Sequence, residues 1–501
     1  MGQRFINVLT VLCSACLLSS CASTTRFTGR PSISPENLRE DIATVLQATD
    51  LDQASVGVKV VSLRSGITLF ENEADRLFVP ASNTKLLTAV GALKALGSEY
   101  RFVTSLFLDK GFAVSGDTLL SNIYLKGSGD PEFRTEDLES LAAELGRFNI
   151  RYITGDVVAD ESNFDDVRLG SGWMWDDVQY DYSAQISALT LNRNCVTVTV
   201  VPGETAGTAV RVSLEPPTSY MTVDVQAVTV PENLPDSLRI PLRVLRRWRK
   251  HSNVIEVTGQ YSIEADTLHA IRTVEDPALY TATVLHDLLN KAGIQVTGSV
   301  RKDATPSTGI EIAAHQSDTL PSAVAFVLKD SDNLAAELLV KAIGAHTTGT
   351  PGTARSGLQA MRKIMSATSL DTLQYRQVDG SGLSTYNLMS PTQITDLLRF
   401  AYQDSSLHSP FLDGLPIAGI DGSLHSRMPS LTAARSLVAK TGTMSGVSCL
   451  SGFVNPETYE PLAFSIMMNN YIGSSRAARR AQDEICRILA AYSRQANLVG
   501  R

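Results

Sequence analysis

The spacing of hydrophobic positions divides this chain into stretches of different character. Residues 34–50, SPENLREDIATVLQATD, carry a capping serine, an early acid and apolar positions at helical period, which predicts a helix. ASVGVKVVSL (54–63) and ITLFENEADRLF (67–78) read as two strands joined by the turn RSG. Leu86, Leu87, Val90, Leu93 and Leu96 then fall near helical spacing, with Gly97 as a C-cap. From about 100 to 315 the period shortens. VTVTVVPG, VRVSLEPP and SNVIEVTGQYSIEAD are short alternating strands broken by Gly, Pro, Asn and Asp. The helical period returns at 317. Two helices broken at KDSDN are followed by GTARSGLQAMRKIMSA and SPTQITDLLRFAYQ. Two strand-like runs, RSLVAKTGTMSG and VSCLSGFVNP through PLAFSIMMNN, precede a closing helix near 476–494.

This order predicts a mixed α/β (α+β) fold in which 34–98 and 317–501 form one domain around a mostly-β insertion over 99–316. A chain of 501 residues is too long for one compact core, and 43% hydrophobic with 19% charged residues is ordinary globular composition. The net charge of −8 argues against nucleic acid as the main partner. The one dense basic run, RVLRRWRKH at 243–251, reads as a solvated face between two strands, with contact to an acidic polymer or anionic lipid as the sharper alternative.

The first 20 residues differ from the rest. Arg4 precedes the nearly uncharged INVLTVLCSACLLSS, the n-region and h-region pattern of a secretory signal, too short for a comfortable membrane span. Cys21 follows Leu-Ser-Ser, and this resembles a bacterial lipobox. The resemblance implies diacylation of Cys21, which suffices for stable anchoring. Ala22 after the cysteine then favours the outer membrane, and residues 21–33 form a polar tether. Removing the leader and Cys21 leaves Cys195, Cys449 and Cys486, far apart, and an odd number means that at least one is free, read as a small buried hydrophobe. No Cys, His or Asp run has metal-ligand spacing, so no metal or other cofactor is expected.

Candidate chemistry lies at three places. Ser82-Asn83-Thr84-Lys85 stands where a loop becomes a helix, which sets Ser82 and Lys85 one turn apart near unpaired backbone N–H groups. Ser331-Asp332-Asn333 and Lys440-Thr441-Gly442-Thr443 follow. S-x-x-K, S-D-N and K-T-G in that order resemble the signature of penicillin-binding proteins and serine β-lactamases. Ser82 is then the nucleophile and Lys85 its base, provided burial and a nearby cation, Lys440, lower its pKa. Ser331 relays a proton to the leaving amine, and Asn333 holds substrate or orients Lys85. Lys440, Thr441 and Thr443 suit a terminal carboxylate. Gly442 lets a peptide lie along an edge strand. The N–H groups of Ser82 and Thr443 form the oxyanion hole, worth on the order of 3 kcal/mol per donor.

The long interval between Ser82 and Ser331 narrows the resemblance. Together with GSGDPEF (127–133), GDVVADESNFDD (155–166), GWMWDD (172–177), LNRNCVTV (191–198), VDGSGLSTYNLMSP (378–391) and LPIAGIDGSLHSRM (415–428), it is similar to peptidase family S13, the penicillin-binding protein 4 type of D-alanyl-D-alanine carboxypeptidase and endopeptidase. The resemblance implies a transpeptidase-like domain carrying two nested domains, peptidoglycan stem peptides as substrate, β-lactams as inhibitors and a place in the cell envelope. It also implies a pocket for the third stem residue that includes Asp160 and Phe164. Thr385 and Ser445 stand where familiar Gram-negative members carry Arg and Gln, so weaker discrimination for diaminopimelate is expected. A β-lactamase is the alternative enzyme. The only Glu between Asn333 and Lys440 is Glu337, read as a structural carboxylate, so a long-lived penicilloyl adduct is expected. A non-catalytic cell-wall-binding or penicillin-sensing lipoprotein is the alternative without chemistry. Asp379, Ser381 and Asp421 read as turn formers, Trp173 and Trp175 as packing residues, and Arg427 as a weak candidate for binding a carboxylate.

Overall fold

The structure, a computed structural model, describes residues 34–48, 53–368, 370–431, 436–458 and 460–499, with side chains to 493. The leader, Cys21 and the tether lie outside the described residues.

Helix α1 (Pro35–Gln47) begins as its sequence demands, with the Ser34 hydroxyl accepting from the Asn37 N–H and proline in the first turn. Strands β1 (Ser55–Ser62) and β2 (Thr68–Asn72) form a hairpin, and α2 (Thr84–Leu96) follows. After the long insertion come α3 (Leu320–Lys329), α4 (Asn333–Thr348), α5 (Ala354–Ser366), α6 (Pro391–Gln403) and α7 (His408–Gly414). Strands β3 (Leu437–Met444), β4 (Val447–Val454) and β5 (Leu462–Asn469) and helix α8 (Arg476–Val499) close the unit. The strands make one antiparallel sheet in the order β2-β1-β5-β4-β3, which leaves β3 at an edge.

Strands β4 and β5 are buried at every position, because helices cover both faces of the sheet. Neighbouring residues therefore enter different cores. Cys449 and Phe453 join the cluster that holds α2, α4 and α6, while Leu450 and Val454 join the cluster of α1 and α8. This is why the sequence there reads as an unbroken apolar run rather than an alternating one. The single run expected over 447–470 is two strands, separated by a turn in which Asn455 takes a left-handed φ of 46°. The run at 67–78 ends as a strand at Asn72, where Glu73 has φ 43°.

The inserted segment enters and leaves through adjacent antiparallel strands, Val103–Leu108 and Ile310–Gln316. These belong to a five-stranded sheet with Ile123–Gly127, Val157–Asp160 and Val300–Lys302. A large insertion is thus tolerated at the cost of two neighbouring chain crossings. Beyond it, Cys195–Val201 is the centre of a three-stranded sheet, and Arg243–Arg246 pairs with Val254–Thr258 in another. Two helices that the sequence pattern did not single out stand in this mostly-β region, Thr135–Ala143 and Pro277–Lys291. The second has a legible start: Asp276 accepts from the Leu279 N–H, and Pro277 follows it.

The helical layer is tightest where α5 crosses α4. A Cβ on Gly357 would collide with the Val340 carbonyl oxygen of α4. Helix α4 carries Asn333 and Glu337, so its position matters to the site. Gly357→Ala is expected to lower stability by about 1–3 kcal/mol, the usual cost of overpacking. The shift of the denaturant midpoint checks this, and an unchanged midpoint would show that the two helices can separate freely.

Candidate active site

Pro80 leads into a single 3-10 turn, Ala81–Asn83, that runs directly into α2. Ala81 has φ 46°, a strained value for a residue with a Cβ. The turn lifts Ser82, half-exposed, between buried Ala81 and Asn83. Asn83 anchors it from below, donating to the Ser451 hydroxyl of β4 at 2.6 Å.

One turn along α2, Lys85 is fully buried. Its ammonium donates to Ser82 Oγ at 3.0 Å, to Asn333 Oδ1 at 2.6 Å and to the Ser381 carbonyl at 2.6 Å. Burial pulls Lys85 down to about 8, against the opposing pull of Asp332, Asp379 and Glu337. Lys440, also fully buried, donates to Ser331 Oγ at 2.8 Å and to the Thr441 carbonyl at 3.0 Å. Burial, and then the charge of Lys85, hold it well below the usual lysine range. Desolvation is the largest influence on both lysines, as expected for Lys85, and the two ammonium groups repel each other wherever both are charged.

The S-D-N segment is shaped by the insertion. Ser331 has φ 60°, and Asp332 caps α4 by accepting from the Ala335 N–H at 2.7 Å. The other Asp332 oxygen meets the Arg193 guanidinium at 2.5 Å. The Asn333 amide donates to the Tyr182 carbonyl at 2.7 Å, which directs its oxygen at Lys85. Arg193 and Tyr182 both come from the inserted segment. Arg193 lies in LNRNCVTV, but nothing in that motif announced a partner at Asp332.

Strand β3 forms the other wall. Ala439 donates outward to the Pro416 carbonyl, and Leu437 accepts from the Ala418 N–H. By the two-residue period, the N–H groups of Thr441 and Thr443 point along the same free edge. Gly442 has a packing reason as well. A Cβ there would lie 2.7 Å from the Pro80 carbonyl oxygen and 3.2 Å from Ser82 N. The missing side chain brings the strand up to the nucleophile turn. Thr441 donates to the Ser423 hydroxyl at 2.8 Å, and Thr443 is exposed.

Glu337 and Asp379 are buried carboxylates that brace the third wall. Glu337 accepts from the N–H groups of Gly380 and Ser381, and burial followed by the Asp379 charge pushes it up to about 7. Asp379 accepts from the N–H groups of Gly382 and Ser384, from the Asn387 amide and from the Trp173 indole. The two acids thereby fix the loop whose Ser381 carbonyl grips Lys85. Asp379 and Ser381 are turn residues as expected, but the turn is part of the lysine's cage. Glycine-rich spacing in GSGLS is the only sequence signal for this.

Other expected residues fall elsewhere. The Asp160 carboxylate has no exposed surface. It accepts from the N–H groups of Ser162 and Thr305 and lies 3.5 Å from Lys126 Nζ. Burial pushes its pKa up, but these hydrogen bonds outweigh it and leave the carboxylate below its ordinary value. Phe164 is buried in the core against Gly129. Both side chains are buried in this structure. Thr385 and Ser445 are exposed. Arg427 is committed to Asp483 at 2.6 Å. Asp421 pairs with Lys329 and caps the Ile417 turn. Trp175, expected to be buried by packing, is 66% exposed. The basic run is only partly solvated, since Arg246 is fully buried and paired with Glu275 at 3.0 Å. Cys195, Cys449 and Cys486 are buried free thiols. Among the described residues no cluster fits a metal ion, and no helix is long and apolar enough to cross a membrane.

Known proteins are similar to this chain in sequence and fold. The family described as D-Ala-D-Ala carboxypeptidase 3 (S13) matches residues 38–492. The D-alanyl-D-alanine carboxypeptidase of Actinomadura sp. (strain R39) is 36% identical over 470 residues, covering 91% of this chain and 85% of that protein. D-alanyl-D-alanine carboxypeptidase DacB of Haemophilus influenzae is 28% identical over 434 residues, covering 85% and 88%. The crystal structure of penicillin binding protein 4 (dacB) from Haemophilus influenzae superimposes with a TM-score of 0.77 at 25% identity, over 90% of this chain and 99% of that one. Three motifs meeting in one cleft, on a fold matched from end to end, place this chain in the D-Ala-D-Ala carboxypeptidase 3 (S13) family.

Proposed function

We propose that this chain is a serine D-Ala-D-Ala carboxypeptidase and DD-endopeptidase that acts on peptidoglycan stem peptides and their cross-links. The observation that carries the reading is Lys85 Nζ at 3.0 Å from Ser82 Oγ, with burial pulling the amine towards its neutral form. Neutral Lys85 takes the Ser82 proton as Oγ bonds to the carbonyl carbon of the penultimate D-Ala. The oxyanion forms against the N–H groups of Ser82 and Thr443. The tetrahedral adduct collapses when the C–N bond breaks, and the proton that Lys85 took from Ser82 passes by way of Ser331 to the leaving amine, which returns Lys85 to its neutral form for the next step. Water then hydrolyses the ester on Ser82. The substrate backbone lies along the free edge of β3, with its terminal carboxylate at Lys440, Thr441 and Thr443. Asn333 holds Lys85 on line.

A β-lactamase reading is less well supported. Glu337 is 2% exposed, and its oxygens are occupied by backbone N–H groups, so it is not free to activate a deacylating water. The residue roles rest on geometry together with the motifs. The reading of 34–98 and 317–501 as one catalytic domain around 99–316 is supported by the shared sheet β2-β1-β5-β4-β3. Export and an outer-membrane lipid anchor on Cys21 belong to the same reading, on the leader sequence alone.

Three outcomes test this. A fluorescent penicillin labels the wild type as a long-lived adduct and leaves Ser82→Ala unlabelled; equal labelling of both would remove Ser82 as nucleophile, and rapid loss of the label would favour a β-lactamase. The penicillin acylation rate rises with pH through about 8, because only neutral Lys85 accepts the proton. Glu337→Gln removes a charge that favours the ammonium, so the midpoint moves to lower pH; a pH-independent rate would exclude Lys85 as base. Metabolic labelling with an alkynyl fatty acid marks the wild type and not Cys21→Ser; equal signal from both would refute the anchor.

A further inference from the structure

Apart from the catalytic cleft, the inserted segment carries a second cleft of about 600 Å³, lined by Asp177, Tyr180, Arg247, Trp248, Arg249 and Lys250 among others. Trp175 stands at its rim, two-thirds exposed, with its ring 5.1 Å from that of Trp248 at 54°. The Arg249 guanidinium lies over both indoles, 5.0 Å from Trp248 and 5.9 Å from Trp175. Neighbouring cations are neutralised: Arg246 by Glu275, and Arg247 by Asp224 and Glu256. Arg249 and Lys250 have no ion pair among the described residues and are exposed. Exposed Trp175, half-buried Trp248 and two unpaired cations thus share one rim of the cleft.

This cleft is linked to the catalytic one through the segment that ends at Tyr182. Tyr180 lines it and stacks on Tyr182, with centroids 5.6 Å apart and rings 12° from parallel. The Tyr182 hydroxyl donates to Asp177, another lining residue, at 2.8 Å. The Tyr182 carbonyl is the acceptor of the Asn333 amide. A short segment, 175–182, therefore borders both sites, with Trp173 turned to the catalytic loop and Trp175 to the second cleft.

We propose that the Trp175–Trp248 cleft binds the glycan strand of the polymer whose stem peptide occupies the catalytic cleft. The inference rests on the reading of the substrate as peptidoglycan. The apolar C–H face of a pyranose ring lies flat on an exposed indole, and two tilted indoles fit a chain of such rings. Arg249 and Lys250 complement the carboxylates of the stem peptides that hang from the strand. A free peptide terminus would need the cations but not the indole pair.

The test separates binding from catalysis. The Ser82→Ala protein is titrated, by quenching of its tryptophan fluorescence, with peptide-free glycan strands, with strands bearing stem peptides, and with the stem peptide alone. Binding is expected to be strongest for the peptide-bearing strand, weaker for the bare strand and weakest for the peptide. Trp175→Ala and Arg249→Ala, made in the same background, each weaken strand binding by about tenfold, the scale of one lost aromatic or cationic contact. In the Ser82-containing protein the same substitutions raise KM for polymeric substrate and leave both penicillin acylation and turnover of a short stem peptide unchanged. Peptide binding equal to strand binding, no binding of bare strands, or equal loss on short and polymeric substrates would each overturn the proposal. Retained penicillin acylation in all Ser82-containing variants keeps these outcomes distinct from a failure of the enzyme reading itself.

Discussion

Two ammonium groups with no exposed surface meet at one serine-bearing cleft, and the rest of the site is arranged around that burial. A buried lysine is destabilising as a cation and useful as a base. Lys85 is held by three oxygens, from Ser82, Asn333 and Ser381, and by the nearby charges of Asp332, Asp379 and Glu337. These keep it from being fully neutralised by burial. The result is an amine near 8, close to the range in which a proton can both be taken from a hydroxyl and be given back. Lys440 has Ser331 Oγ and the Thr441 carbonyl as neighbours, and burial, then the Lys85 charge, hold it well below the usual lysine range.

The oxygens that surround Lys85 depend on distant chain segments. Asn333 is turned towards it because the Tyr182 carbonyl takes the other end of its amide. Asp332 is held by Arg193. Ser381 presents its carbonyl because Glu337 takes the N–H groups of 380 and 381. The inserted segment is therefore not an ornament on a finished catalytic unit. It supplies two of the contacts that set the S-D-N loop, and its segment 175–182 connects that loop to a second, aromatic cleft.

Close backbone approach is the other recurring device. Gly442 lets an edge strand pass beside Ser82 N, and Gly357 lets α5 rest on the carbonyls of α4. In both places a side chain is absent so that two rigid elements can define a distance. The loss of a Cβ costs chain entropy, which the surrounding packed core offsets.

Local sequence determined a good part of this protein. Helical and alternating periods marked most elements of the enclosing unit, a capping serine marked the start of α1, and the three motifs named Ser82, Lys85, Ser331, Asn333 and Lys440, which the structure brings together. It misled where an apolar run is buried on both sides, since 447–470 carries no alternation to divide it, and where helices 135–143 and 277–291 hide among short strands. Only the tertiary structure decided that Asp160 and Phe164 are enclosed, that Trp175 is open, that Glu337 braces the loop gripping Lys85, and that both lysines are buried completely. The reason is physical: periodicity and caps act over a few residues, whereas desolvation, ion pairing and backbone contact depend on which segments hundreds of positions apart come to share one space.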